Sequence, residues 1–312
     1  MFRHKIEQFG KYQKQVLVNE QTGTLLALVP EQSATIIDLQ FKNISFLDCC
    51  KTDIELDLNN WGKNALLYPF PNRLNGGKYQ WHNKTYQFPI NDPVTQNALH
   101  GFGNSDNFEV TEIELEIDNA SIQLMYQYDG SLSYYPFPFT FWVRYSITDQ
   151  NTFEVILSVQ NDGPESLPFG MGWHPYFELS QKVDQAKLHV KDLHMVGIDE
   201  RMIPTGKRYE YTTYENGRVI GVEVLDNCFA IAQSNGRAFE LSLKGEKGYL
   251  RYWQETGTNK YNFVQLFTPP NRNALAIEPM TCNVDAFNNG DGLIKVEPGE
   301  KVSGSFGFFL KD

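Results

Sequence analysis

The sequence predicts an all-β protein, one large antiparallel β-sandwich, on three observations. Strand-like runs rich in β-branched and aromatic residues recur from end to end, turn signals separate them, and no long segment holds a 3.6-residue apolar period. The runs begin with GTLLALV (23–29) and ATIIDLQF (34–41). SIQLMYQY (121–128), FTFWVRYSI (139–147) and TFEVILSVQ (152–160) follow, several alternating apolar with polar as a strand with one buried face does. RAFELSL (237–243), YLRYWQE (249–255), KYNFVQLF (260–267) and GSFGFFL (304–310) complete the set. Asn75-Gly76-Gly77, Asp129-Gly130, Asn161-Asp162-Gly163 and Asn235-Gly236 supply the turn chemistry between them. KYQWHNKTYQF (78–88) reads as one hairpin, with Tyr79 and Trp81 facing Tyr86 and Phe88 across a His82-Asn83-Lys84 turn. Helical turns are expected only at 61–67 and 181–186. With no linker, fixed-period repeat or low-complexity block, the expectation is a single domain over 1–312.

Composition narrows the function. Hydrophobic residues make up 41% of 312, enough for a sizeable core, and 22 Phe, 16 Tyr and 5 Trp suit both strands and ligand pockets. A net charge of −11 repels phosphate backbones and anionic lipid surfaces, so neither nucleic acid nor a membrane is an expected partner. The N-terminal MFRHKIEQFGKYQKQ lacks the apolar run of a signal peptide, and no stretch has the length of a spanning helix. Cys49, Cys50, Cys228 and Cys282 show neither metal-knuckle spacing nor a disulfide framework. They are expected as reduced thiols in a cytoplasmic protein that carries no metal.

Four stretches depart from plain strand patterning. YPFPNRLNGG (68–77) presents Asn72 and Arg73, and a guanidinium there could hold hydroxyls or a carboxylate; by itself a surface arginine is the commoner reading. NALHGFG (97–103) sets His100 before glycines that allow close approach, with a plain loop histidine an even alternative. FGMGWHPYFEL (169–179) places His174 between Trp173 and Pro175; alone, such a histidine is more often a satisfied core residue. In NALAIEPMTCNVDAFNNGDG (273–292), Glu278 follows an apolar lead-in, and Pro279 is expected to end hydrogen bonding on one side. A carboxylate at a buried strand end is costly unless paired or functional. Asp226 is a weaker fifth candidate, an Asx turn being its ordinary reading. A histidine and a carboxylate make an acid/base pair, but 104 residues separate His174 from Glu278 and spacing alone cannot join them.

Taken in order, these residues resemble the aldose 1-epimerase (mutarotase) family. The resemblance rests on Asn72-Arg73 before a glycine turn, Leu99-His100-Gly101, Gly172 to Phe177, Leu225 to Phe229, and Ile277 to Asn288; the hairpin at 77–88 and IPTG at 203–206 add to it. It implies a large twisted antiparallel sandwich with a sugar cleft on one face and no cofactor. It further implies His174 as general acid to the pyranose ring oxygen and Glu278 as general base to the anomeric hydroxyl. Asn72, Arg73, His100 and Asp226 would hold sugar hydroxyls, and Tyr176, Trp173 and Phe267 would line the cleft. The implied partner is a monosaccharide, and a monomer or weak homodimer is expected. Two departures mark a divergent branch: Phe102 follows Leu-His-Gly, and Trp173-His174-Pro175 stands where galactose-type members have Asn-His-x-x-Phe. Residues 85–143 hold no Lys or Arg, so a neutral aldose is expected rather than a hexose 6-phosphate. A non-catalytic sugar-binding sensor is the competing class; a glycosidase would need two flanking carboxylates.

Overall fold

The computed structural model describes residues 1–102, 106–232 and 238–311. The Asn235-Gly236 turn, Arg237 and Gly103 lie outside the described residues. A nine-stranded antiparallel sheet runs in the order Glu109–Leu115, Asn119–Tyr128, Phe139–Thr148, Thr152–Asn161, Lys301–Lys311, Gly248–Gln254, Phe239–Gly245, Lys187–Val190, Arg218–Val219. An eight-stranded sheet runs Pro204–Tyr211, Leu193–Ile198, Asp226–Ile231, Phe263–Phe267, Leu275–Met280, Gly172–Trp173, Leu66–Leu67, and Tyr176–Phe177 also pairs with Leu275–Met280. A five-stranded N-terminal sheet built from Arg3–Phe9 to Ile44–Ser45 joins them. The architecture is the antiparallel β-sandwich the sequence predicts.

Period-two alternation makes the sandwich. In Thr152–Asn161, Phe153, Val155, Leu157 and Val159 are buried, and they meet Phe306 and Phe308 of the paired strand in one core. That core also takes Phe229, Val264, Leu266, Leu275 and Ile277 from the eight-stranded sheet, and Leu26, Ile36 and Phe41 from the N-terminal one. The burial of so many large side chains, at ~1.5–3 kcal/mol each, supplies the driving force. In three central strands the outward positions, one residue out of step, face a cleft instead.

Several expectations change in detail. The hairpin turn has two residues, His82 and Asn83, both at positive φ (49° and 60°), and Lys84 begins the return strand opposite Trp81. Tyr79 does face Tyr86, their rings stacked at 5.0 Å, but Phe88 lies beyond the paired segment. No helix forms over 61–67; the helix there is Asp53–Leu58, whose N-cap Thr52 accepts from Glu55 N–H. A 3₁₀ turn at Val183–Gln185 falls where one is expected. The strand carrying Glu278 does not end at Pro279: it continues to Met280, with Val264 opposite Pro279. Proline is tolerated there because on the strand's other side pairing is confined to Gly172 with Met280 and to Tyr176–Phe177 with Leu275–Ala276, so among the described residues no strand partner faces Pro279 on that flank.

Candidate active site

Two adjacent strands place a carboxylate over the cleft. Gln265 and Glu278 are directly opposed in the pairing of Phe263–Phe267 with Leu275–Met280, and Cys228 opposes Gln265 from the third strand. On the far side of these strands Val264, Leu266 and Ile277 fill the core. Asp226, Gln265 and Glu278 therefore share the outer face, flanked by the apolar groups around Phe263 and Met280 at one end and Tyr176, Ala276 and Phe267 at the other.

The strand parity of the adjoining segment delivers the histidine. Trp173 and Phe177 point into the core, and His174 and Tyr176 point into the cleft. Trp173 is thus not a cleft wall: it is fully buried, stacked on Phe306 at 5.7 Å, with its indole N–H donating to Asn64 O at 3.1 Å. Gly170 and Gly172 permit close packing. A Cβ on Gly172 would stand 2.6 Å from Pro279 O, and one on Gly170 2.4 Å from Cys282 Sγ.

His174 Nε2 lies 3.4 Å from Glu278 Oε1. The pair that spacing could not join is in contact. Both are nearly inaccessible, at 7% and 2% side-chain exposure, and His174 Nδ1 and Glu278 Oε2 have no partner among the described residues. Burial pushes the Glu278 carboxyl well above its usual range, with the nearby Asp226 charge adding to it and Arg73 opposing. Burial also pulls His174 down to about 4. Both shifts disfavour separated charge, so burial favours the neutral carboxyl and imidazole over an ion pair.

The opposite wall comes from Asn72, Arg73 and His100. Arg73–Leu74 pairs with Ala98–Leu99, and Asn72 and His100, just outside that pairing, both adopt left-handed backbone (φ 57° and 63°). They lock each other: His100 N–H donates to Asn72 O at 2.8 Å, and Asn72 N–H donates to His100 Nδ1 at 3.1 Å. That bond makes Nδ1 an acceptor, so neutral His100 carries its proton on Nε2. Burial, with His174 and Arg73 nearby, holds His100 well below its ordinary value and keeps it neutral. Strained backbone at two adjoining positions is characteristic of functional sites.

Arg73 Nε donates to Asp92 at 3.1 Å. Burial raises the Asp92 carboxyl, but Thr95 and Arg73 outweigh it and hold it below its usual value. Gln265 ties the floor together, accepting from Asn72 Nδ2 at 3.3 Å and donating to Asp226 at 2.8 Å. Burial raises Asp226 against the pull of Arg73 and Gln265.

These groups line one cleft of about 200 Å³ with Asn60, Trp61, Gly62, Leu99 and Phe267. Of the sequence candidates, His174, Glu278, Asn72, Arg73, His100, Asp226, Tyr176 and Phe267 converge there, and Trp173 alone does not. Gln265 and Trp61 escape the sequence reading. An amide inside the otherwise apolar VQLF, and a tryptophan among asparagines in NNWGKN, were the available signals. Trp61 stacks on Phe267 (6.2 Å, 24°), and its carbonyl accepts from Tyr176 O–H at 2.8 Å. Tyr176 in turn stacks on His174 at 4.9 Å. Among the described residues no group of His, Cys, Asp and Glu is arranged to hold a metal ion, and no helix is long and apolar enough to cross a membrane.

Residues 15–308 match the family model described as aldose 1-epimerase. The chain belongs to the aldose 1-epimerase family. Among curated relatives, an uncharacterized Escherichia coli protein, YihR, is 25% identical over 289 residues, covering 91% of this chain and 89% of that protein. A second, YphB of the same organism, is 34% identical over 114 residues, covering 36% of each. A galactose mutarotase-like protein from Clostridium acetobutylicum has the same fold, with a TM-score of 0.87 at 20% identity over 100% of this chain and 99% of that one. A galactose 1-epimerase from Lactobacillus acidophilus gives 0.83 at 15% identity, covering 100% and 99%. The family match and the ordered motifs thus coincide in one chain, and Asn72-Arg73, Leu99-His100, His174, Tyr176, Asp226 and Glu278 from those motifs meet in the cleft.

Proposed function

We propose that this protein is an aldose 1-epimerase that interconverts the α and β anomers of a neutral aldose. The observation that carries the reading is the buried contact between His174 Nε2 and Glu278 Oε1 at the floor of a cleft lined by hydroxyl-binding groups. Ring opening needs a proton delivered to the ring oxygen and another removed from the anomeric hydroxyl. His174, as imidazolium, gives the first; Glu278, as carboxylate, takes the second. That is the charge-separated form of the one-proton pair, and polar sugar atoms between the two groups stabilise it. The C1–O5 bond breaks, the free aldehyde rotates about C1–C2, and closure on the other face returns the proton from O5 to His174 while Glu278 reprotonates the carbonyl oxygen. Each positioned acid or base contributes roughly 10²–10⁴-fold.

His100, with its proton on Nε2, donates to a sugar oxygen, while Arg73 donates and Asp226 accepts at hydroxyls. Trp61 and Phe267 offer an aromatic wall to the apolar face of a pyranose. Among the described residues lining the cleft, Arg73 is the only Lys or Arg side chain, and it is already engaged by Asp92, which favours a neutral sugar over a phosphorylated one. The test is polarimetry of freshly dissolved α-glucose, with exchange NMR across neutral and phosphorylated sugars. Acceleration above the spontaneous rate, lost in Glu278→Gln and His174→Ala, supports the reading. A rate equal to the spontaneous one with measurable sugar binding would make the protein a sensor.

A further inference from the structure

The cleft does not stop at the proposed ring site. A second cavity of about 170 Å³ adjoins it and shares Asn60, Gly62, Leu99 and His100 with it. Beyond them it is lined by Asn59, Ala65, Leu67, Asn91 and Phe102. We propose that this cavity is a subsite for a neutral glycosyl substituent on the exocyclic C6 of the sugar, so that the substrate class includes 6-linked disaccharides with a free reducing end. The inference rests on the epimerase reading above.

Direction comes from the catalytic geometry. With His174 at the ring oxygen and Glu278 at the anomeric hydroxyl, C1 lies on the Glu278 side. C5, the other neighbour of the ring oxygen, lies on the side away from Glu278, and it carries C6. The polar neighbour of His174 on its other side is His100, whose ring centroid is 5.3 Å away, and the second cavity opens past His100. An extension at the anomeric carbon is ruled out by the reaction itself, which requires a free hydroxyl there.

Chemistry sets the substituent. Among the described residues, no charged side chain lines the second cavity. The nearest lysine of the flanking loop, Lys63, is tied to Asp48 at 2.8 Å, and residues 85–143 supply no Lys or Arg. A phosphate dianion would meet no cation there. The wall is one of amides over apolar surface, the pattern that suits a polyhydroxylated ring. The Asn59 and Asn91 amides are held by backbone groups, Asn91 by a reciprocal pair with Leu99 (2.6 and 3.0 Å). The exposed Asn60 amide makes no hydrogen bond to the described residues and stands at the junction of the two cavities. It supplies both donors and an acceptor for a sugar hydroxyl.

The experiment compares glucose, melibiose (6-linked), maltose (4-linked) and glucose 6-phosphate by exchange NMR, with isothermal titration of each. The expected result is kcat/KM for melibiose equal to or above that for glucose, with maltose and glucose 6-phosphate lower by about tenfold or more. Ala65→Leu adds bulk to the second cavity without removing a hydrogen bond. It should weaken melibiose about tenfold in both kcat/KM and titrated affinity, and leave glucose within about twofold. Melibiose turned over about tenfold worse than glucose, maltose as good as melibiose, or equal loss for both sugars in Ala65→Leu would overturn the subsite. If no sugar is turned over, the epimerase reading fails, and titration still decides the subsite: melibiose binding more tightly than glucose supports it, and weaker binding sinks it.

Discussion

The same three strands carry two opposite environments on their two faces. Inward, Phe229, Val264, Leu266, Leu275 and Ile277 form part of a core with almost no exposed surface. Outward, Asp226, Gln265 and Glu278 form a polar row with a carboxyl that burial has pushed far from its ordinary state. The inner face is built for stability, since its apolar packing costs nothing in unpaired polar groups. The outer face retains a buried carboxyl oxygen, Glu278 Oε2, with no partner among the described residues, which a merely stable sheet would have replaced. Trp173 and His174, neighbours in sequence, fall on opposite sides of this divide.

Substitutions on the two faces should separate activity from stability. Glu278→Gln should lower anomer exchange by about 10²–10⁴-fold with the fold retained, read by exchange NMR beside thermal unfolding. Its melting temperature should also hold at alkaline pH. The folded-state pKa of Glu278 lies above its unfolded value, so the stability it contributes is complete at low pH and is lost as pH rises through the folded value. Trp173→Ala should do the reverse. It removes a buried ring and about 3–5 kcal/mol of stability in urea titration, while the molecules still folded keep their turnover.

A smaller effect sharpens the view of the pair. His174 is pulled to about 4, below its unfolded value, so its contribution is present above about pH 6.5 and lost as pH falls toward 4. The loss is on the order of 3 kcal/mol, and His174→Gln should flatten that limb of the stability curve. Activity should follow a bell in which the acid limb marks entry of a second proton into the pair and the alkaline limb marks loss of the first. A single sigmoid rising through ordinary histidine titration would contradict the shared proton. Last, Trp61→Ala should raise KM several-fold, roughly 0.5–1.5 kcal/mol, with little change in kcat, because a stacked wall serves ground and transition states alike.

The strand runs and their alternation were legible because period two is written locally. Phe153, Val155, Leu157 and Val159 could be assigned to one face without any partner strand. The cleft was legible only through ordered motifs, since the meeting of His174 with Glu278 depends on how two distant strands pair. The error at Trp173 has a local cause. An aromatic beside a catalytic histidine reads as a sugar wall, yet strand alternation puts adjacent side chains on opposite faces. The missed helix at Asp53–Leu58 has one too: its six residues are too few to show a period, and its stop signal, Asn59 at φ 20°, is not a glycine. Gln265 is not legible from the sequence, because a lone amide in a strand gives no sign of which face it will occupy.

The 3.4 Å contact between His174 and Glu278 has a consequence for how a catalytic cycle resets. On the proposed mechanism each turnover leaves the pair with the proton count it started with, and the proton can pass directly between the two side chains once the sugar departs. No exchange with bulk water is needed between cycles. Turnover by the proposed mechanism should therefore run at a rate indifferent to buffer concentration, unlike spontaneous sugar ring opening, which buffers accelerate by lending and borrowing protons.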